Sequence, residues 1–153
     1  MFTDKWNERF LKLAREVSKW SKDPSTKVGA VIVRPDRTIA SLGYNGFPRG
    51  VEDIEGMLSD RDVRLYRSVH AEMNAILSNR DPDLSRHTMF VWPFSPCADC
   101  AKAIIQSGIR AVVVPERDMS ENGANERWEE SLRHTVDMFN MAGVGLYTVD
   151  VGA

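Results

Sequence analysis

Between Thr88 and Val114 two short apolar runs, Thr-Met-Phe-Val-Trp and Arg-Ala-Val-Val-Val, flank one stretch of helix formers, Cys97–Ser107. Pro96 stands where a first helical turn tolerates proline, and Gly108 is placed to stop the helix before the second run. The spacing predicts a β-α-β unit over these residues. A strand, a covering helix and a second strand commit the chain to an α/β architecture, because each element has an apolar face that must be buried on another.

The flanking sequence extends that pattern. Trp6, Phe10, Leu13, Ala14, Val17 and Trp20 recur at three- and four-residue intervals among Lys, Arg and Glu, which predicts an amphipathic first helix ended by Asp23-Pro24-Ser25. Val28–Val33 reads as a buried strand, Pro35-Asp36-Arg37 as a turn and Thr38–Tyr44 as a second strand, giving an antiparallel hairpin. Asn45–Gly50 is a loop, Asp60–Arg67 a short charged helix, His70–Leu77 a further helix and Asn79–Arg86 a polar connection. Pro115–Gly123 is polar and loop-like. Ala124–Met141 carries Trp128, Leu132, Val136 and Phe139 on one helical stripe, and Val144–Val149 makes a last strand. The alternation predicts a three-layer α/β/α domain with a mixed sheet, one domain over residues 1–153, without internal repeat.

With 153 residues, 42% hydrophobic and 27% charged, the chain has enough apolar content for one core. A formal net charge of −2 lacks the basic excess of a protein that tracks nucleic-acid phosphates, which favours a small-molecule partner and argues against a stable nucleic-acid complex. No apolar run approaches the roughly 20 residues of a bilayer span, and Met1–Phe10 lacks the apolar core of a signal peptide, so neither membrane insertion nor secretion is expected. The only two cysteines, Cys97 and Cys100, are too close in sequence to form a disulfide framework. They fit a cytoplasmic chain, or a host's cytoplasm for a viral one, with metal or redox chemistry.

Two patterns carry that chemistry: His70-Ala71-Glu72 opening one predicted helix and Pro96-Cys97-Ala98-Asp99-Cys100 opening another. Cys97 and Cys100 are one turn apart, and the positive end of their helix favours thiolates. One imidazole and two thiolates suit a single Zn2+ per chain, and three protein ligands leave a fourth tetrahedral position for water. Glu72 is then free to carry protons as the catalytic carboxylate. H-x-E followed by P-C-x-x-C is the recognised signature of zinc nucleobase deaminases. A closed zinc site or a redox dithiol with His70 incidental is the bland alternative. A closed site needs a fourth ligand, and the other histidines, His87 and His134, lie in polar sequence that reads as solvated surface.

Beyond these motifs, Asp23-Pro24-Ser25-Thr26-Lys27-Val28-Gly29-Ala30, Gly43-Tyr44-Asn45-Gly46-Phe47-Pro48, His70-Ala71-Glu72-Met73-Asn74-Ala75-Ile76 and Phe139-Asn140-Met141-Ala142-Gly143-Val144 resemble, in order, the deoxycytidylate deaminases of the cytidine deaminase-like zinc superfamily. The resemblance covers nearly the whole chain. It implies a five-stranded sheet, hydrolysis of dCMP to dUMP with release of ammonia, and a hexamer. It further implies a sugar contact at Asn45, a base contact from the Ala71 backbone, and a phosphate contact around Thr26 and Lys27, residues that otherwise lead into the first strand. Gly43, Tyr44, Asn45 and Gly46 resemble a region that holds a regulatory nucleoside triphosphate, dCTP or dTTP, with Mg2+ in regulated members. Turn chemistry alone accounts equally for those glycines. Some viral members bind a second, structural zinc through extra cysteines, which this chain lacks. Val114-Pro115-Glu116-Arg117 stands where many members carry a tyrosine-bearing loop, with Arg117 or Arg110 as a source of phosphate charge and surface arginine as the plainer account. CMP or a modified cytosine nucleotide is an alternative substrate. A polynucleotide deaminase, such as one acting on tRNA adenosine, and a non-enzymatic zinc or dithiol module are the competing classes.

Overall fold

The computed structural model describes residues 2–117 and 126–152. Five strands, β1 (Gly29–Val33), β2 (Ile39–Tyr44), β3 (Thr88–Trp92), β4 (Ala111–Pro115) and β5 (Gly145–Val149), form one sheet in the order β2-β1-β3-β4-β5. β1 pairs antiparallel with both β2 and β3, whereas β3-β4 and β4-β5 are parallel. The sheet is therefore mixed and five-stranded, with the hairpin at one edge and the β-α-β unit in its centre.

The alternation of β1 explains the layers. Val31 and Val33 face α1 (Asp4–Ser18), where Phe10, Leu11, Ala14 and Val17 are buried with Phe90 and Val113. Ala30 and Ile32 face the opposite side, where Ala71 and Ala75 of α3 (Ala71–Ser78), Ala101 and Ile104 of α4 (Ala98–Ser107) and Phe139 of α5 (Glu126–Ala142) close a second core. Successive strand residues point to opposite faces, so an all-apolar strand such as β1 requires cover on both. Gly108 ends α4 at φ 92°, the left-handed conformation that glycine adopts without a Cβ penalty.

Several boundaries differ from the sequence expectation. α1 stops at Ser18, where the Ser18 hydroxyl donates to the Arg15 carbonyl and the amides of Lys19, Trp20 and Ser21 bond three residues back, tightening the chain out of the helix. Trp20 consequently leaves the buried stripe; it is 51% exposed and meets Tyr44 edge-on at 6.0 Å. A 3₁₀ turn, Ile54–Ser59, precedes the charged helix, α2 (Arg61–Arg67), whose N-cap Asp60 accepts from the amides of Asp62 and Val63. On α5 the buried positions are Thr135 and Phe139, while Val136 is 38% exposed, so the packed face is rotated from the predicted stripe. Ala124 and Asn125, and most of the predicted 115–123 loop, lie outside the described residues.

His87 corrects the expectation of a solvated side chain. Leu84 is buried and turns the 79–86 connection back onto the sheet, which carries His87 into the interior at the start of β3. There its Nε2 lies 2.7 Å from Asp81 Oδ2, and Arg34 donates to both Asp81 oxygens from Nε at 2.7 Å and Nη2 at 3.0 Å. His134 is exposed, as expected.

Candidate active and metal site

Strand register gathers the site at one end of the sheet. Gly29 pairs with both Tyr44 and Trp92, so the residues entering β1, those leaving β2 and those leaving β3 all emerge on the same side. Asn45 follows β2, and Gly46 pairs through both backbone groups with Val69, which delivers His70 to that end. Arg110 precedes β4, beside Ser85–Thr88 in a cleft of about 250 Å³ at the opposite end of the sheet. Its distance from the site removes it as a source of phosphate charge there. Arg117 leaves β4 at the site end and is exposed.

His70 and Cys97 are the N-cap residues of α3 and α4, both with extended backbone (φ −69°, ψ 153° and φ −70°, ψ 170°). Neither side chain caps its own helix. Instead His70 Nδ1 lies 3.5 Å from Cys97 Sγ and 3.3 Å from Cys100 Sγ, and the three donor atoms fall within 4.8 Å of one another. They are the one group of three or more potential ligands found among the described residues. Zinc–nitrogen and zinc–sulfur bonds of about 2.0 and 2.3 Å at the tetrahedral angle put nitrogen and sulfur about 3.5 Å apart. The donor set and its spacing therefore fit zinc, with His70, Cys97 and Cys100 as ligands.

The two thiols and the imidazole act strongly on one another's protons. The Cys97 thiol is lowered to about 4, first by a hydrogen bond with Cys100 and then by His70, while His70 is raised to about 9 chiefly by its hydrogen bond with Cys97. Cys100 is pushed up by its bond with Cys97, by burial and by the neighbouring Glu72 charge. Glu72, in the first turn of α3, is 4% exposed, and burial raises its carboxyl above the ordinary value even though it hydrogen-bonds the Cys100 side chain. A buried carboxyl that holds its proton more tightly, in contact with a metal-ligand residue, is suited both to accept a proton and to give it up.

The remaining sequence-predicted residues are arranged around this centre in two ways. Ala71 is fully buried directly after His70. Asn45 is buried: its Oδ1 accepts from the Val28 amide at 2.9 Å, and its Nδ2 donates to the Thr26 carbonyl at 2.9 Å and to Asp23 Oδ2 at 3.4 Å. Thr26 is half-buried, and Lys27 is exposed with its ammonium on the Ser21 carbonyl. Of the four residues given to an effector, Tyr44 is exposed and Gly46 half-buried, but Gly43 lies inside β2 and packs against α3. An alanine Cβ at Gly43 would stand 2.5 Å from Ala71 O and Ala75 N. Close approach of two backbones, rather than turn conformation, accounts for that glycine.

Asp23, which the sequence marks only as a helix stop and as part of the resemblance, has a further role in the structure. It is 6% exposed, accepts from the Ser25 and Thr26 amides at 2.8 and 3.0 Å, receives the Asn45 side chain, and faces Arg64 of α2 at 3.7 Å. An aspartate before Pro-Ser-Thr is the signal of an Asx turn, and it organises the 23–27 loop at the site.

A family model described as the cytidine and deoxycytidylate deaminase zinc-binding region matches residues 4–116. An uncharacterised deaminase in the luxG 3′ region of Aliivibrio fischeri is 44% identical over 140 residues, covering 92% of this chain and 90% of that one. The human deoxycytidylate deaminase is 36% identical over 149 residues, covering 91% and 76% respectively. Among solved structures, the dCMP deaminase of cyanophage S-TIM5 in complex with dCMP and dUMP superposes with a TM-score of 0.70 over 97% of this chain and 100% of that one, and at 24% identity it shares the fold.

Proposed function

The chain belongs to the cytidine and deoxycytidylate deaminase zinc-binding family, and we propose that it hydrolyses dCMP to dUMP and ammonia. The observation that carries the reading is the meeting of His70, Cys97 and Cys100 with the buried carboxyl of Glu72 at two helix starts. The relatives named above as deoxycytidylate deaminases support the choice of nucleotide.

His70, Cys97 and Cys100 would hold the zinc, one per chain. When bound, it supplies the Lewis acidity that makes water a nucleophile near neutral pH. Glu72 takes a proton from the water that adds to C4 of the cytosine ring and delivers it to N3, draining electron density from C4. It then returns a second proton to the exocyclic amino group, which leaves as ammonia while the C4 carbonyl forms. Water enters and ammonia leaves, so the exchange balances. Burial serves this work, since it brings the carboxyl towards the pH at which it can both accept and donate. The Ala71 backbone positions the base, Asn45 the sugar, and the Thr26–Lys27 segment the 5′-phosphate. Asn45 Nδ2 is already committed to Thr26 and Asp23, so its remaining capacity toward a sugar hydroxyl is the free lone pair of Oδ1.

Effector control by dCTP or dTTP with Mg2+ would act through Tyr44 and Gly46, the members of that quartet not committed to the interior. Hexamer formation would cover exposed apolar side chains such as Tyr66, at 91% exposure, and Leu65, at 60%. No helix among the described residues is long and apolar enough to cross a membrane.

Ammonia release from dCMP, CMP, 5-methyl-dCMP, cytidine and a short single-stranded DNA tests the reading. The expected result is turnover of dCMP with cytidine a poor substrate. Equal kcat/KM for cytidine and dCMP would remove the phosphate contact, and turnover of the oligonucleotide alone would overturn the assignment to free nucleotides.

A further inference from the structure

Cys97 occupies the N-cap of α4, the position from which a side chain ordinarily accepts from an amide of the first turn, yet its sulfur faces His70. Two side chains of α5 act on the turn that presents both thiols. Ser131 Oγ accepts from the Ala98 amide at 2.9 Å, and Thr135 Oγ1 donates to the Pro96 carbonyl at 3.0 Å.

The placement of these two bonds is specific. The Pro96 carbonyl belongs to the peptide unit before the Cα of Cys97, and the Ala98 amide to the unit after it. Holding both planes fixes φ and ψ of Cys97, and with them the direction of its Cα–Cβ bond. Ser131 and Thr135 are four residues apart on one face of α5, so one helix reaches both planes. Thr135 is 0% exposed, and Phe139, one turn further on, is 1% exposed in the core shared with Ala101 and Ile104. Phe94, in the same loop, meets Trp128 of α5 edge-on at 4.9 Å. The rail that holds the cysteine turn is thus anchored in the interior. It also lies beyond residues 4–116, the segment matched to the family's zinc-binding region.

We infer, resting on the zinc reading above, that Ser131 and Thr135 are positioning residues for the metal centre, holding Cys97 in ligating geometry from outside its own helix. Outer partners that orient metal ligands are commonly worth about 10–100-fold in metal affinity, because a ligand free to rotate must be ordered again each time the metal binds.

The experiment is zinc release from the purified holoprotein to a chromogenic chelator, for wild type, Ser131→Ala, Thr135→Val and Thr135→Ser. Phe139→Leu serves as a control that loosens α5 in the core without touching the turn. Urea midpoints are taken in parallel. Ser131→Ala and Thr135→Val are expected to release zinc about 10–100-fold faster than wild type, with Thr135→Ser close to wild type and Phe139→Leu lowering the urea midpoint without accelerating release. Wild-type release rates in both Ser131→Ala and Thr135→Val, or equally fast release from Phe139→Leu, would overturn the inference while leaving the zinc site standing. A wild-type protein purified without zinc and unable to take it up would overturn the zinc reading itself, and this inference with it. Should Thr135→Val not fold, Ser131→Ala against Thr135→Ser decides alone.

Discussion

Replacing Gly43 by alanine is expected to displace α3 and, through it, the metal site. The new Cβ would lie 2.5 Å from Ala71 O and from Ala75 N and 2.8 Å from Asn74 Cβ, where ordinary contact begins at about 3.4 Å. Helix backbone cannot swing aside as a flexible side chain can, so α3 must retreat from β2 by about 0.5–0.9 Å. Two hydrogen bonds span that gap: Ser41 Oγ to Ala75 O at 2.7 Å and Asn74 Nδ2 to Tyr44 O at 2.8 Å. Overpacking of this kind costs about 1–3 kcal/mol, and a hydrogen bond stretched out of range about 1 kcal/mol. With both bonds stretched the loss in stability is about 3–5 kcal/mol, or about 1.5–2.5 M in urea midpoint at a slope of about 2 kcal/mol per molar. His70 begins the same helix, and metal sites tolerate ligand displacements of only about 0.2 Å, so zinc content and turnover should fall together with stability. The assay is urea denaturation with elemental analysis of zinc, using Gly46→Ala, whose Cβ meets nothing within 4 Å, as the near-neutral comparison. A Gly43→Ala protein with the wild-type midpoint, full zinc and altered response only to dCTP or dTTP would refute the packing account and return Gly43 to an effector role.

Glu72→Gln is expected to keep the fold and the zinc while lowering kcat by at least about 10²–10⁴-fold, the range for one positioned acid–base group; turnover near the wild-type rate would end its assignment as the proton carrier. Acid unfolding should draw on Asp81, held down to about 2 first by Arg34 and then by His87. Because its folded value lies below the ordinary 3.8, the stability it contributes is present above that value and is lost as pH falls toward 2. The stability gap between wild type and Asp81→Asn should accordingly narrow over that window, and a gap constant from pH 6 to pH 2 would contradict the Arg34–Asp81–His87 arrangement. Cys97→Ser is expected to lose zinc, which elemental analysis reads directly.

What the sequence made legible follows local rules. The run Gly29–Val33 is buried on both faces and reads as a strand because nothing polar interrupts it, and Gly108 marks the end of α4 because only its conformation fits there. Elements fixed by distant contacts were harder to read. Trp20 continues the helical spacing of α1, but Ser18 bends the chain away before that spacing is used. His87 sits among polar neighbours in sequence, and only the return of the 79–86 connection brings it against Asp81. On α5 the apolar spacing pointed to Leu132 and Val136, whereas the packed face presents Ser131 and Thr135 to the cysteine turn. Polar residues that brace a turn of another element leave no periodic signal, since their value depends on which foreign amide or carbonyl they meet.

The two short motifs were readable for a reason rooted in helix geometry. In a capping box the side chains of the N-cap and N3 positions converge on the same end of the helix, usually to satisfy its free amides. Cys97 and Cys100 occupy these positions on α4, so the spacing C-x-x-C turns that convergence toward a metal. His70 and Glu72 are the N-cap and second residue of α3, and side chains of the first turn lean back toward the N-terminus, which lets the carboxyl reach the ligands without becoming one. The positive end of α4 adds to what favours the Cys97 thiolate, while burial makes Glu72 hold its proton more tightly. Neither His70 nor Cys97 makes the usual side-chain cap of its own helix. On α4 the amide of Ala98, the first of the helix and one that an N-cap side chain does not reach, bonds Ser131, so residues that hold the cysteine turn lie on a helix that neither motif names.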